Sequence, residues 1–191
     1  MKLLSRLSAL VLLCLAVSAT PARADGFISP FLGFNFGGDS ANCLGLSTCE
    51  DHRNNWGVSL GTMGSVFGFE ADIGYAPQFF GKLQSGDNAV LTVMSNLLLI
   101  IPAGPIRPYG VVGVGWIQQK VTTVTGVGDF SQDSFAGDVG GGLMVYFANR
   151  IGVLIDYRYF QNFHATSANI IGVPTDHFSF NRASIGVLFR F

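Results

Sequence analysis

The sequence predicts an all-β fold, an eight-stranded antiparallel β-barrel that crosses a membrane, and three observations support it. Apolar residues alternate with small or charged residues at every second position along much of the chain. Short and long connections between the alternating segments follow one another in turn. The longest aliphatic run after residue 24, Leu97 to Ile101, is far shorter than the roughly 20 residues that a membrane-spanning helix needs.

Composition excludes two broad classes of protein. The 191 residues are 49% hydrophobic and only 12% charged, which is unlike an intrinsically disordered chain. The formal net charge is -1 and no basic block is present, so no nucleic-acid partner is expected. The placement of the apolar residues therefore decides the class of this folded chain.

The N-terminal segment, residues 1–24, has the three parts of a secretory signal peptide. Lys2 and Arg6 precede a short apolar run, and Ala22-Arg23-Ala24 follows it as an A-x-A cleavage pattern. We expect cleavage to leave residues 25–191 as one exported barrel domain.

Two cysteines remain after export, Cys43 and Cys49, in a segment rich in Gly, Ser, Asn and Asp. An exported chain meets an oxidising compartment, so a disulfide between them is predicted. This bond closes a short loop, and the entropy of loop closure gives it only about 2 kcal/mol of stabilisation. A zinc site would need more ligands than the nearby His52 supplies, so no metal or other cofactor is expected.

The clearest strand pattern lies in the first half of the chain. Phe67, Phe69, Ala71, Ile73 and Tyr75 occupy alternate positions, and small or acidic residues separate them. This alternation is typical of a strand with two different environments on its faces. The same pattern predicts eight strands, at 26–37, 55–63, 66–77, 89–101, 107–119, 135–147, 151–162 and 178–191.

The connections between these segments alternate in length. Short turns at 64–65, 102–106 and 148–150 alternate with longer polar segments. The longer segments are 38–54, 78–88, 120–134 and 163–177. An even number of strands with this alternation fits an outer-membrane barrel that has short periplasmic turns and four longer extracellular loops.

The character of the two faces favours a membrane barrel over a soluble sandwich or a lipocalin-like barrel. The polar face consists mostly of Gly, Ser, Ala and Asn, and such small residues suit a narrow interior. Aromatic residues concentrate near the strand ends, as they do in the interfacial girdles of membrane barrels. On a soluble protein this surface would promote aggregation.

Three segments resemble strands of a known family. Arg107 to Trp116, the glycine-rich segment Gly137 to Met144, and Gly152 to Tyr159 look like strands of the small, porin-like outer-membrane barrels related to the OmpA transmembrane domain and the opacity proteins. The resemblance covers residues 25–191 and implies location in the cell outer membrane, with lipid and lipopolysaccharide as partners. That family includes anchors, adhesins, small pores and a few enzymes, so the resemblance does not indicate one activity.

The last strand resembles the signal that the barrel-assembly machinery recognises, which implies that machinery as a partner during biogenesis. Four apolar residues at alternate positions carry this resemblance. They are Ile185, Val187, Phe189 and Phe191.

Seven charged side chains fall on the inner face in the predicted register. They are Glu70, Asp72, Asp138, Asp156, Arg158, Arg182 and Arg190. Charged groups are costly against lipid, so we expect them in the barrel interior. The hypothesis is that Glu70 and Asp72 meet Arg158 or Arg182 there and form an ion-pair plug with little continuous water. Since eight strands leave an interior that side chains just fill, a structural role for this network is favoured over a conduction or proton path. The barrel is expected to be non-enzymatic.

Two alternatives to a structural barrel involve no catalysis. A small passive pore would need an axial or lateral opening. A loop-mediated adhesin would use the four long segments, with Phe79, Phe80, Phe130 and Phe163 as exposed anchors.

A third alternative is a lipid A-modifying enzyme, because some small barrels that deacylate lipid A use a His-x-Ser pair on one strand face. His164 and Ser167 have the wrong spacing, since residues three apart lie on opposite faces. His177 and Ser179 have the right spacing but lack the flanking pattern of those enzymes. No catalytic residue is therefore predicted.

Overall fold

The computed structural model describes residues 25–38, 52–79, 86–123, 130–163 and 178–191. Each strand pairs antiparallel with the next, and the first strand pairs with the last, which closes the sheet into a barrel. The strands are β1 Asp25–Phe36, β2 His52–Met63, β3 Phe67–Pro77, β4 Gly86–Ile100, β5 Ile106–Thr123, β6 Phe130–Tyr146, β7 Ile151–Asn162 and β8 Ser179–Arg190. The predicted fold class is confirmed.

The two ends of the barrel differ in their connections. The end that holds the short connections 64–66, 101–105 and 147–150, together with Asp25 and Phe191, is called the turn end. The opposite end, called the loop end, holds the connections 37–51, 78–85, 124–129 and 163–178. No helix in the described part of the chain is long and apolar enough to cross a membrane.

The predicted boundaries are wrong chiefly at the loop end. β5 continues to Thr123 and β6 begins at Phe130, so six residues join them instead of the predicted segment 120–134. The added residues of β6 pair along the ladder, from Ser134 opposite Ile117 to Phe130 opposite Val121. These positions include many polar residues, and backbone pairing there needs no apolar face. Apolar alternation therefore could not indicate where these strands end.

Alternation places each strand between two environments. On β3, Phe69 is 65% exposed on the outer face, whereas the neighbouring Glu70 is only 3% exposed on the inner face. The outer face carries large exposed apolar side chains along every strand. An apolar outer surface of this extent suits lipid rather than water.

Aromatic side chains mark both borders of the apolar outer surface. Near the loop end, Trp56 packs on Tyr75 and Trp116 on Phe135, each with ring centroids 5.5 Å apart. Phe67 is exposed on the same face near the turn end. Phe67 and Tyr75 are eight positions apart on β3, about 27 Å along the strand. At the usual strand tilt this separation spans roughly 20 Å of the membrane normal.

Candidate functional site in the barrel interior

Three groups of interior side chains, called layers, follow one another along the barrel axis. The middle layer, called the charged belt, contains four carboxylates and two arginines that are at most 3% exposed: Glu70, Asp72, Asp138, Asp156, Arg158 and Arg182. The turn-end layer consists of Phe27, Met63, Leu98, Ile100, Tyr109, Val111, Met144, Leu154 and Leu188. The loop-end layer consists of Ala76, Phe79, Val90, Met94, Ile117, Ala136, Phe160, Phe178 and Phe180. This layer at the loop end has no member from β1 or β2, whose buried side chains near that end, Asn35, Arg53 and Asn55, are polar.

Strand geometry brings the belt together. Residues two apart on a strand share a face, so Glu70 lies next to Asp72 on β3 and Asp156 next to Arg158 on β7. β3 and β7 are four strands apart in the closed order and therefore form opposite walls. A long arginine side chain can reach from one wall to the other in so narrow a barrel.

Arg158 joins the two walls. Its Nε lies 2.7 Å from Asp156 Oδ1 on its own strand, and its Nη2 lies 2.8 Å from Glu70 Oε1 on the opposite wall. Its Nη1 lies 3.5 Å from Asp138 Oδ2 and 3.9 Å from Asp72 Oδ2. One guanidinium group thus contacts all four carboxylates of the belt.

Arg182 links the belt to the loop-end layer. Its Nη2 lies 2.7 Å from Asp72 Oδ1, and its guanidinium carbon lies 4.8 Å from the ring centroids of both Phe31 and Phe160. Cation–π contacts of this kind are stronger when they are desolvated. Gly74 leaves the space for this arrangement, because a Cβ there would lie only 2.7 Å from Arg182 Nη1.

Neutral donors add hydrogen bonds to three of the four carboxylates. Ser59 Oγ donates to Asp72 Oδ2 at 2.9 Å, and Asn96 Nδ2 donates to Glu70 Oε1 at 2.9 Å. The hydroxyl of Tyr109 donates to Asp156 Oδ2. These hydrogen bonds offset part of the cost of burying the charges.

A glycine on β5 makes room for two of these groups. A Cβ built on Gly113 would overlap both Asn96 Oδ1 and Asp138 Oδ1. On the outer side of the same strand, a Cβ built on Gly110 would meet no atom closer than 3.9 Å. The two glycines therefore differ in what a methyl group would disturb.

The structure brings six of the seven predicted interior charges into the belt and places the seventh elsewhere. Arg190 lies at the turn end, where its Nε is 3.4 Å from Asp25 Oδ2 and its side chain is 25% exposed. Its position on the inner face follows the predicted alternation. Its position along the barrel axis separates it from the belt, because it is the last residue of β8 and lies beyond the turn-end layer.

The sequence analysis missed the neutral partners of the belt and the aromatic layer above it. Alternation could have placed Asn96, Tyr109 and Ser59 on the inner face, although not in contact with particular carboxylates. The prediction that Phe79 is an exposed anchor is wrong, because its ring is fully buried 5.0 Å from that of Phe180. Because aromatic rings lie in this end of the lumen, an apolar residue such as Phe79, just beyond the end of β3, can pack among them.

The other predicted residues have different outcomes. Phe163 is exposed and packs against the ring of Phe135 on the outer face. The side chains of Phe80 and Phe130 lie outside the described residues, as do Cys43, Cys49, His164, Ser167, His177 and residues 1–24. The predicted disulfide and signal-peptide cleavage therefore stay predictions.

The C-terminal residues of the assembly signal lie on the outer face. Ile185, Val187, Phe189 and Phe191 are all exposed there, and Phe191 pairs with Gly26 through two backbone hydrogen bonds of 2.9 Å. Recognition by the assembly machinery stays a prediction.

Comparison with known proteins identifies the family. The outer membrane protein beta-barrel domain family matches residues 8–191. The chain belongs to this family. Membership of the outer membrane protein beta-barrel domain family, together with the apolar outer face, locates the chain in the outer membrane. The comparison with curated proteins found no match.

Three solved structures have the same fold as this chain. Neisserial surface protein A is 16% identical, with 87% of this chain and 97% of that chain covered and a TM-score of 0.64. Ail, the attachment invasion locus protein of Yersinia pestis, solved with the heparin analogue sucrose octasulfate, is 15% identical over 88% and 99%, with a TM-score of 0.56. OprH of P. aeruginosa is 16% identical over 88% and 100%, with a TM-score of 0.54. At these identities the likeness concerns the fold alone.

Proposed function

We propose that this barrel is a structural, surface-exposed and non-enzymatic component of the outer membrane whose interior conducts neither ions nor small solutes. The observation that carries the proposal is the position of the charged belt between two apolar layers. A belt alone would bind water and ions. An apolar layer lies on each side of it, toward each of the two aqueous compartments.

Each apolar layer is a barrier to a hydrated ion. In the loop-end layer the rings of Phe160 and Phe180 stack with centroids 4.8 Å apart and an interplanar angle of 7°. In the turn-end layer Leu98, Met144 and Leu188 have no exposed surface. Moving a charge through such a layer without compensation is costly, and hydrophobic constrictions of this kind exclude water.

The engagement of the belt residues supports a role without catalysis. The carboxylates bind the two arginines, and neutral donors bind three of them, at positions that are almost completely buried. A catalytic site needs a cleft in which substrate reaches its functional groups. Among the described residues, no group of three or more His, Cys, Asp or Glu side chains is arranged to hold a metal ion.

Single-channel recording tests the closed interior. Protein extracted from outer membranes is reconstituted in planar bilayers, after circular dichroism has verified its β-sheet content. We expect no unitary conductance steps from the wild-type chain. Reproducible steps from folded wild-type protein would contradict the proposal and favour the passive pore.

A variant that widens all three layers provides a positive control. Phe180→Ala, Arg158→Ala and Leu188→Ala shorten one interior side chain in each layer. We expect steps when the three are combined in protein whose β-sheet content circular dichroism has verified. The matched control carries Phe69→Ala and Leu99→Ala, which shorten exposed side chains on the outer face. Because these changes leave the interior intact, the control should be silent.

A second function, binding through the loops, is favoured by the arrangement of the longest connections. Connection 37–51 follows β1 and connection 163–178 precedes β8, and the described ends of the two, Gly37 and Phe178, lie next to paired strands. Segments 39–51 and 164–177 contain acidic residues but no Lys or Arg, so a polyanion like the one bound to Ail is an unsuitable ligand.

Loop replacement tests this second function. Nanodiscs with the wild-type barrel should bind a polylysine-coated surface better than a heparin-coated one, because the loops are acidic. A variant in which both segments are replaced by short Gly-Asn turns should lose this difference. Equal binding by both proteins would exclude the loops as the binding element.

A further inference from the structure

A pocket of about 360 Å³ opens at the turn end, outside the three interior layers. The turn after β4 and the turn after β6 form its walls, and Arg107, Tyr146, Phe147 and Arg190 line it. We call it the mouth pocket. It contains no residue of the charged belt, so what it binds is independent of whether the interior conducts.

Two guanidinium groups converge on one aromatic ring in the mouth pocket. The guanidinium carbon of Arg107 lies 5.0 Å from the ring centroid of Tyr146, and that of Arg190 lies 5.4 Å from the same centroid. The backbone N–H of Tyr146 donates to Pro105 O at 2.8 Å, which ties this strand end to the neighbouring turn. The ring therefore holds two cationic side chains at the rim of one pocket.

The positive charges of the mouth pocket are only partly neutralised. Arg190 pairs with Asp25 at 3.4 Å, and both side chains are partly exposed. Arg107 Nε donates to Gly104 O at 3.3 Å, and in the described ranges no carboxylate forms an ion pair with Arg107. Asp25 thus pairs with only one of the two arginines, which leaves N–H donors for an anion.

The surroundings of the mouth pocket are apolar and open. Phe147 lines the pocket and is 75% exposed, while Ile106 and Ile151 are exposed at the neighbouring strand ends. The outer apolar surface ends at this height, which is where the phosphate groups of a lipid leaflet meet the hydrocarbon. A ligand with a phosphate head and an apolar tail would satisfy both parts of this surface.

We propose that the mouth pocket binds a phosphate group, with Arg107 and Arg190 as its ligands. Arginine presents planar pairs of N–H donors that match phosphate oxygens, and charge-assisted hydrogen bonds of this kind are the strong ones. The phosphate comes either from the headgroup of an anionic phospholipid in the adjoining leaflet or from solution.

Native mass spectrometry and ³¹P NMR separate the two sources. Protein extracted from outer membranes is placed in phosphatidylcholine nanodiscs that contain a minority of phosphatidylglycerol, and the lipids retained on release are counted. In parallel, inorganic phosphate is titrated into detergent-solubilised protein and its ³¹P line width is followed. The variants are Arg107→Gln with Arg190→Gln, and the matched control Arg150→Gln, an exposed arginine at the same end that does not line the pocket.

We expect wild-type and Arg150→Gln protein to retain phosphatidylglycerol about tenfold more tightly than the double variant, a ratio that corresponds to about 1.4 kcal/mol. Line broadening of inorganic phosphate that also depends on Arg107 and Arg190 would extend the site to free phosphate. Broadening absent from all proteins, with lipid retention intact, would restrict the source to the headgroup. Equal retention by the double variant and the control, without arginine-dependent broadening, would overturn the proposal.

Discussion

Replacement of Arg158 by methionine should strongly destabilise the barrel, because the change leaves buried carboxylates without their main partner. Methionine keeps much of the side-chain length and removes the charge. The wild-type guanidinium makes short contacts of 2.7 Å to Asp156 and 2.8 Å to Glu70, and longer ones to Asp72 and Asp138. After the change, Arg182 is the one arginine left in the belt, and its ion pair is with Asp72.

The expected magnitude follows from these contacts. Removal of one partner of a buried ion pair costs about 3–5 kcal/mol, and Arg158 has two short pairs, so we expect a loss of about 4 kcal/mol or more. Arg158→Lys keeps the charge but cannot contact both walls with a planar group, and it should cost about half as much. Arg158→Met combined with Glu70→Gln should recover about 1–2 kcal/mol, since one unpaired carboxylate is then absent.

Equilibrium urea unfolding in detergent micelles measures these differences. Trp56 and Trp116 lie on the outer face and report unfolding by fluorescence. If Arg158→Met costs less than about 1 kcal/mol, the belt carboxylates must be hydrated in the folded state. That result would refute both the worked magnitude and the closed interior.

Three further predictions concern other residues of the barrel. Gly113→Ala should lower the free energy of unfolding by about 2–3 kcal/mol in the same assay, because its methyl group overlaps belt atoms. Gly110→Ala should be nearly neutral, and equal losses from the two changes would mean that the belt adjusts freely. Phe160→Ala should cost about 3–5 kcal/mol by opening the loop-end layer, and the lipid-facing Phe69→Ala should cost less than half of that; the reverse order would show that lipid contacts dominate. Phe191→Ala should lower the amount of barrel in the outer membrane, measured by immunoblotting of membrane fractions, while refolding in detergent stays unchanged; unchanged membrane levels would count against its predicted role in assembly.

The sequence could predict the barrel because its two faces differ so sharply. The alternation from Phe67 to Tyr75 reports a wall with lipid on one side and packed side chains on the other. It also places Glu70 and Arg158 on the inner face, since face depends only on parity along the strand. Their contact across the barrel needs the closed order of strands and the heights of the residues in it.

Two other kinds of feature could not be predicted. One is the position of a residue along the barrel axis, and the other is backbone pairing between strand segments that have no apolar alternation. Arg190 has the same parity as Arg182 but lies at the turn end, beyond the layer that contains Leu188. The ladder between Gln118 and Asp133 extends the strands beyond the apolar surface. Phe79 resembles a loop residue in the sequence, although the aromatic layer in the lumen provides its contacts.

The alternation of faces also restricts how genes for such barrels can change in length. One residue inserted after Leu154 would exchange the faces of the rest of β7 and turn Asp156 and Arg158 toward lipid. An arginine that faces lipid at the middle of the bilayer costs about 2–4 kcal/mol. The ion pairs that Arg158 makes in the interior would be lost as well. Single-residue insertions and deletions should therefore be purged from the walls and accumulate in connections such as 124–129. Among divergent relatives of such a barrel, we therefore expect the loops to differ in length and the strands to differ by substitution alone.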